Sequence, residues 1–75
     1  MSVLPQSEID EVVRAALEAD DLATAGRYDA ARELLRRRRQ RALDAHPSEE
    51  WAPQLGVAWD GAIRRFRERL RTGMD

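Results

Sequence analysis

"LGVAWDGAIRRFRERL", residues 55–70, is the most strongly patterned stretch of the chain. At 100° per residue Leu55, Trp59, Ala62, Phe66 and Leu70 fall within one narrow arc, and Ile63 lies beside them. That spacing predicts an amphipathic helix with a single apolar face. Its end is marked by Thr72-Gly73, and Ser48 offers a cap at its start, with Glu49 and Glu50 placed for a first turn. Pro53 leaves two starts open: one helix from Glu49 distorted at Pro53, or a short turn and then a helix from Pro53.

Working back toward the N-terminus, the punctuation is sparse. Gly26 breaks one helical pattern and His46-Pro47-Ser48 breaks the next. The first pattern predicts a helix over about residues 8–25, with Ser7 as N-cap and Asp10 completing a capping-box-like pair. Ile9, Val12, Val13, Ala16 and Ala23 share one face, Leu17 lies at its edge, and Asp20 stands in its middle. The second pattern predicts a helix over 28–45, stopped by Pro47. Tyr28, Ala31, Leu35 and Ala42 make its stripe, with Leu34 and Ala45 on one flank and Arg38 inside it. No segment alternates with period two, so no strand is expected. The expected fold is all-α: one small domain spanning residues 1–75, a three-helix bundle made of an antiparallel helical hairpin and a third amphipathic helix, preceded by a tail over residues 1–6.

Seventy-five residues allow only a thin core. The chain has no cysteine, so disulfides cannot reinforce it, and its one histidine, His46, stands beside Pro47 with no ligand spaced for zinc. His46 therefore reads as a loop residue. No metal and no cofactor are expected. Support must come from well-formed helices, from a partner surface, or from both. The first residues lack the features of a signal peptide and no apolar run could span a bilayer, so the expectation is a soluble cytoplasmic protein without membrane contact.

Charge is abundant but nearly balanced, thirteen arginines against fourteen acidic residues, with no lysine. Its distribution is uneven. Residues 1–26 carry one arginine and six acids, whereas residues 27–46 carry seven arginines and three acids. "RRRRQR", residues 36–41, packs five of those arginines together. One reading is a basic helix tracking phosphates, using Arg36, Arg37, Arg39 and Arg41 with Arg64, Arg67 and Arg71 of the third helix. The other is a solvated surface that neutralises the acidic first helix and forms local pairs, Asp29 with Arg32, Glu33 with Arg37, and Arg41 with Asp44. The arginines encircle their helix, no helix-turn-helix signature or aromatic platform accompanies them, and the net charge is −1. These features favour the second reading.

Asp20 and Arg38 are each a charge on an apolar stripe. Stranding either would cost several kcal/mol. They either pair with one another, with Tyr28 as another donor to Asp20, or line a groove where a second chain docks.

The stretch "GRYDAARELL", residues 26–35, resembles the inter-helix corner of a tetratricopeptide repeat. Gly26, Tyr28, Ala31 and Leu35 sit at that repeat's glycine, tyrosine, alanine and large-apolar spacings, and Ala19 and Leu22 at its small and large positions in the preceding helix. The corner is also similar to the first hairpin of microtubule-interacting-and-trafficking domains. The resemblance spans about 25 residues, too short for an array. Arg38 departs from it, occupying a position the repeat keeps small. A second copy is suggested by "WDGAIRRF", residues 59–66, which parallels "YDAARELL" without a preceding glycine corner. The resemblance implies a module that binds peptides or helices of other proteins.

Nothing in the chain assembles a nucleophile with a base, a phosphate loop or paired carboxylates, so no enzyme and no small-molecule substrate are expected. The leading expectation is a small helical protein–protein interaction module, an accessory or regulatory subunit that binds another protein or itself. Trp51, Arg38, Asp20, Arg37 and Arg41 are its candidate contact residues, since tryptophan and arginine are enriched where interfaces hold their energy. Trp51 has the alternative role of closing one end of the bundle. A nucleic-acid-binding regulator is the alternative function.

Overall fold

The computed structural model describes residues 3–73. Its elements are α1 (Gln6–Thr24), α2 (Tyr28–Ala45) and α3 (Ala52–Gly73), each packed against the other two. This is the expected all-α three-helix bundle, and no strand occurs among the described residues. The bundle is long and narrow, 42 × 18 × 15 Å. Two tight reversals make neighbouring helices antiparallel, so α1 and α3 run in the same direction.

The first reversal follows from Gly26, whose φ of +81° lies in the left-handed region where a Cβ is disfavoured. The Arg27 N–H donates to the Leu22 carbonyl at 2.8 Å and the Gly26 N–H to that of Ala23 at 2.9 Å, the double closure of a Schellman end. The second reversal decides between the two starts at Pro53. Residues 47–51 form turns and α3 begins at Ala52. Pro53 thus occupies the first turn, where a missing N–H has no intrahelical partner to lose. Ser48, Glu49 and Glu50 stay outside the helix, with Glu49 accepting from the Ala52 N–H at 3.0 Å through its backbone carbonyl.

At the N-terminus, α1 starts at Gln6 on a cap formed by Pro5, two residues before the expected start. Ser7 is inside the helix, and Asp10 accepts from the Gln6 side chain at 3.0 Å in place of closing a capping box. Leu4 packs on the core, so the chain from there onward belongs to the bundle.

The core consists of Val12, Ala15, Ala19, Ala31, Leu35, Leu55, Trp59, Ala62 and Phe66. α3 buries the face its periodicity marked, and in α2 Ala31 and Leu35 are buried with Ala42 partly so. α1 is rotated from expectation. Its buried residues are Val12, Ala15 and Ala19, while Val13 is 52% exposed, Leu17 60% and Ile9 38%. The reason is close approach. Ala15, Ala19 and Ala31 have no exposed area, so at the hairpin contact the helices meet through small side chains. That leaves the bulkier Ile9, Val13 and Leu17 turned outward.

Candidate interaction groove

The outward turn of Val13 and Leu17, with Ile9 exposed one turn before them, opens an apolar groove beside α3. They follow one another at i, i+4 and i+8, so they form a row along α1. Next to that row, Ala62 and Phe66 of α3 floor a groove of about 280 Å³ between α1 and α3, and Arg65 and Arg69 form its far wall. Asp20 projects from α1 and pairs with Arg69 across the groove. Past this bridge a second depression continues along Ala23, Thr24, Tyr28 and Leu70. Tyr28, expected on the apolar stripe of α2, lies at the rim of this depression. It is 40% exposed and borders the groove's lower end.

Asp10 and Asp21 are exposed on the side of the apolar row away from α3. Arg65 is exposed on the α3 wall and has no carboxylate within ion-pair distance among the described residues. The groove is apolar at its base, and both lips carry mixed charge: Asp10, Arg14 and Asp21 are exposed beside α1's apolar row, and Arg65 and Glu68 on α3.

The pairing expected between Asp20 and Arg38 is absent, because they lie on different sides of α1. Arg38 contacts Glu18 at 3.0 Å and Glu11 at 3.9 Å on the α1–α2 side. Its side chain is one-third exposed, so these bonds tie the hairpin together without burying a charge. Asp20 takes Arg69 and not Tyr28 as its partner. One of the two residues lines the groove and the other does not.

The remaining arginines divide in the same way. Arg39 binds Asp60 at 2.8 Å and joins α2 to α3. Arg37 pairs with Glu33 at 2.9 Å and Arg32 with Asp29 at 3.3 Å, as their spacings implied. Arg41 makes no pair with Asp44, which accepts from Gln40 at 2.8 Å. It borders a polar cleft of about 480 Å³ between α1 and α2, with Glu8, Glu11 and Arg38 and with Trp59 beneath. Arg36 and Arg67 meet Arg32 along the α2–α3 seam, above Leu35 and Ile63. Arg64 and Arg71 are exposed on α3.

Trp51 does not reach the groove. It is half-buried and packs on the core, with its ring 4.8 Å from that of His46. His46 in turn lies 2.9 Å from Glu8, so this loop residue ties the end of α2 to the start of α1. Below them the Trp59 indole N–H is buried with no hydrogen-bond partner.

The groove residues that sequence reasoning missed are Arg65, Arg69 and the outward role of Ile9, Val13 and Leu17. One signal was available. With Ala15 and Ala19 counted as apolar, α1 is apolar over more of its circumference than one packed face requires. The chain matches no known family model, no curated protein and no solved structure. Trp59 lies well inside α3 and not behind a corner, so "WDGAIRRF" does not repeat the setting of "YDAARELL". No described helix is long and apolar enough to cross a membrane.

Proposed function

We propose that the chain is a small helical protein–protein interaction module whose working surface is the α1–α3 groove. The observation that supports this reading is that Val13 and Leu17, half or more exposed, line a groove floored by Ala62 and Phe66, with Ile9 continuing their row along α1. A row at i, i+4 and i+8 is the pattern by which one helix receives another in a bundle. Single exposed apolar residues need no explanation, but a contiguous row along a groove with charged lips marks an interaction site. The occupant is the apolar face of a helix. Asp20 and Arg69 divide the groove and set where that helix can sit.

The test is affinity capture with the tagged chain and with Leu17→Glu, each with and without nuclease. A bound protein that survives nuclease and is lost with Leu17→Glu supports the reading. Retention that vanishes with nuclease and ignores Leu17→Glu overturns it. That result would favour nucleic-acid binding, for which the meeting of Arg32, Arg36 and Arg67 on one seam is the supporting observation. Such binding would weaken steeply with salt.

A further inference from the structure

The geometry points to a second site, independent of the groove: the cleft between α1 and α2 binds a small zwitterion, a molecule carrying an ammonium and a carboxylate, such as a free α-amino acid. The cleft measures about 480 Å³, more than the α1–α3 groove and within the size range of small-molecule sites. Its base is Trp59, which is 1% exposed and belongs to the third helix, so all three helices are needed to form it. The Trp59 indole N–H is the one buried side-chain polar atom among the described residues without a hydrogen-bond partner. Buried donors are almost always satisfied, and this one calls for an acceptor from outside the chain.

The walls define what else that acceptor carries. Glu8 and Glu11 stand on α1, Arg38 and Arg41 on α2. Two of these four are committed to the fold. Glu8 holds His46 at 2.9 Å through Oε1, and Arg38 holds Glu18 at 3.0 Å. The other two are not. Arg41 has no carboxylate within ion-pair distance among the described residues. Glu11 meets Arg14 only at 3.7 Å and Arg38 only at 3.9 Å, both beyond hydrogen-bond length. A simple anion would face two carboxylates here, and a simple cation two guanidiniums. A ligand with both charges matches the pair that is left over. Its carboxylate accepts from the Arg41 guanidinium and the Trp59 N–H, and its ammonium donates to Glu11.

The proton–nitrogen correlation spectrum of the full chain tests this, because Trp51 and Trp59 each give one indole signal and Trp51→Phe tells them apart. The probes are the free α-amino acids, one at a time, with acetate and methylammonium as the separate halves. At least one amino acid should shift the Trp59 signal saturably, with half-saturation between about 10 µM and 1 mM. Neither half should match it at about tenfold higher concentration. Arg41→Gln and Glu11→Gln should each weaken binding at least about tenfold, whereas Arg36→Gln, on the α2–α3 seam, should leave it unchanged. Circular dichroism confirms that each variant keeps its helices. Leu17→Glu, which decides the groove, should not alter this titration. The absence of a saturable shift with every amino acid overturns the inference, as does acetate binding equally well. A shift indifferent to Arg41→Gln and Glu11→Gln overturns it too, and so does a water held on the Trp59 N–H that no amino acid displaces.

Discussion

Val12 and Val13 are adjacent, chemically identical and on opposite sides of the decision that defines the groove. Val12 is 7% exposed and packs in the core, whereas Val13 is 52% exposed on the outward row. Val12→Ala removes two buried methyl groups worth about 0.8 kcal/mol each and leaves part of their volume unfilled. Better helix propensity returns about 0.5 kcal/mol, for a net loss of about 1.5–2 kcal/mol. Val13→Ala gives up only half-buried methyls and gains the same propensity, so its cost at dilution is within about 0.5 kcal/mol of zero. For a domain of this size Val12→Ala lowers Tm by roughly 10 °C and Val13→Ala hardly moves it. Thermal and urea unfolding at low micromolar concentration reads both. Equal losses at dilution, or a larger loss for Val13→Ala, would show that α1 buries the face its periodicity suggested, and the groove would not exist.

Two glycines should respond in opposite directions. Gly26→Ala strains a left-handed residue and should cost about 1 kcal/mol, while Gly61→Ala, inside α3 with open space around an added Cβ, should gain about 0.5–1 kcal/mol; paired melting curves decide it. Trp59→Phe removes the orphaned indole N–H, so its loss in urea denaturation should stay near 1 kcal/mol despite the volume change, against 3–5 for Trp59→Ala. The Asp20–Arg69 bridge is mostly solvated on its arginine side, and a double-mutant cycle through Asp20→Asn and Arg69→Gln should give a coupling of about 0.2–1 kcal/mol.

The third helix was legible because its apolar residues are large and confined to one arc, so periodicity and burial agree. The Gly26 corner was legible for a different reason: few residues accept a positive φ, and glycine there leaves little choice. The start of α3 was narrowed to two forms by Pro53, and the shorter form prevailed because the Ser48–Trp51 segment turns before the helix begins. The rotation of α1 was not legible by ranking hydrophobicity. Alanine scores as weakly apolar, yet Ala15 and Ala19 are the residues that let α1 approach its neighbours, and close approach outweighs side-chain size at a tight crossing. That one rotation hid the groove, since it moved Ile9, Val13 and Leu17 from core to surface. The ion pairs followed the same rule. Local spacing gave Asp29–Arg32 and Glu33–Arg37, but Arg38 with Glu18 and Asp20 with Arg69 depend on helix orientation and could not be read from either helix alone.

The most direct measurement is methyl NMR with a soluble paramagnetic agent, applied to whatever assembly the chain forms, with its own copy or with a captured protein. Val57, on α3 and 72% exposed, serves as the reference for an uncovered apolar residue. On assembly the Ile9, Val13 and Leu17 methyls should become protected from the agent while Val57 stays fully accessible. If in every assembly those three remain as accessible as Val57, the α1–α3 groove is a free surface and the proposed function is wrong.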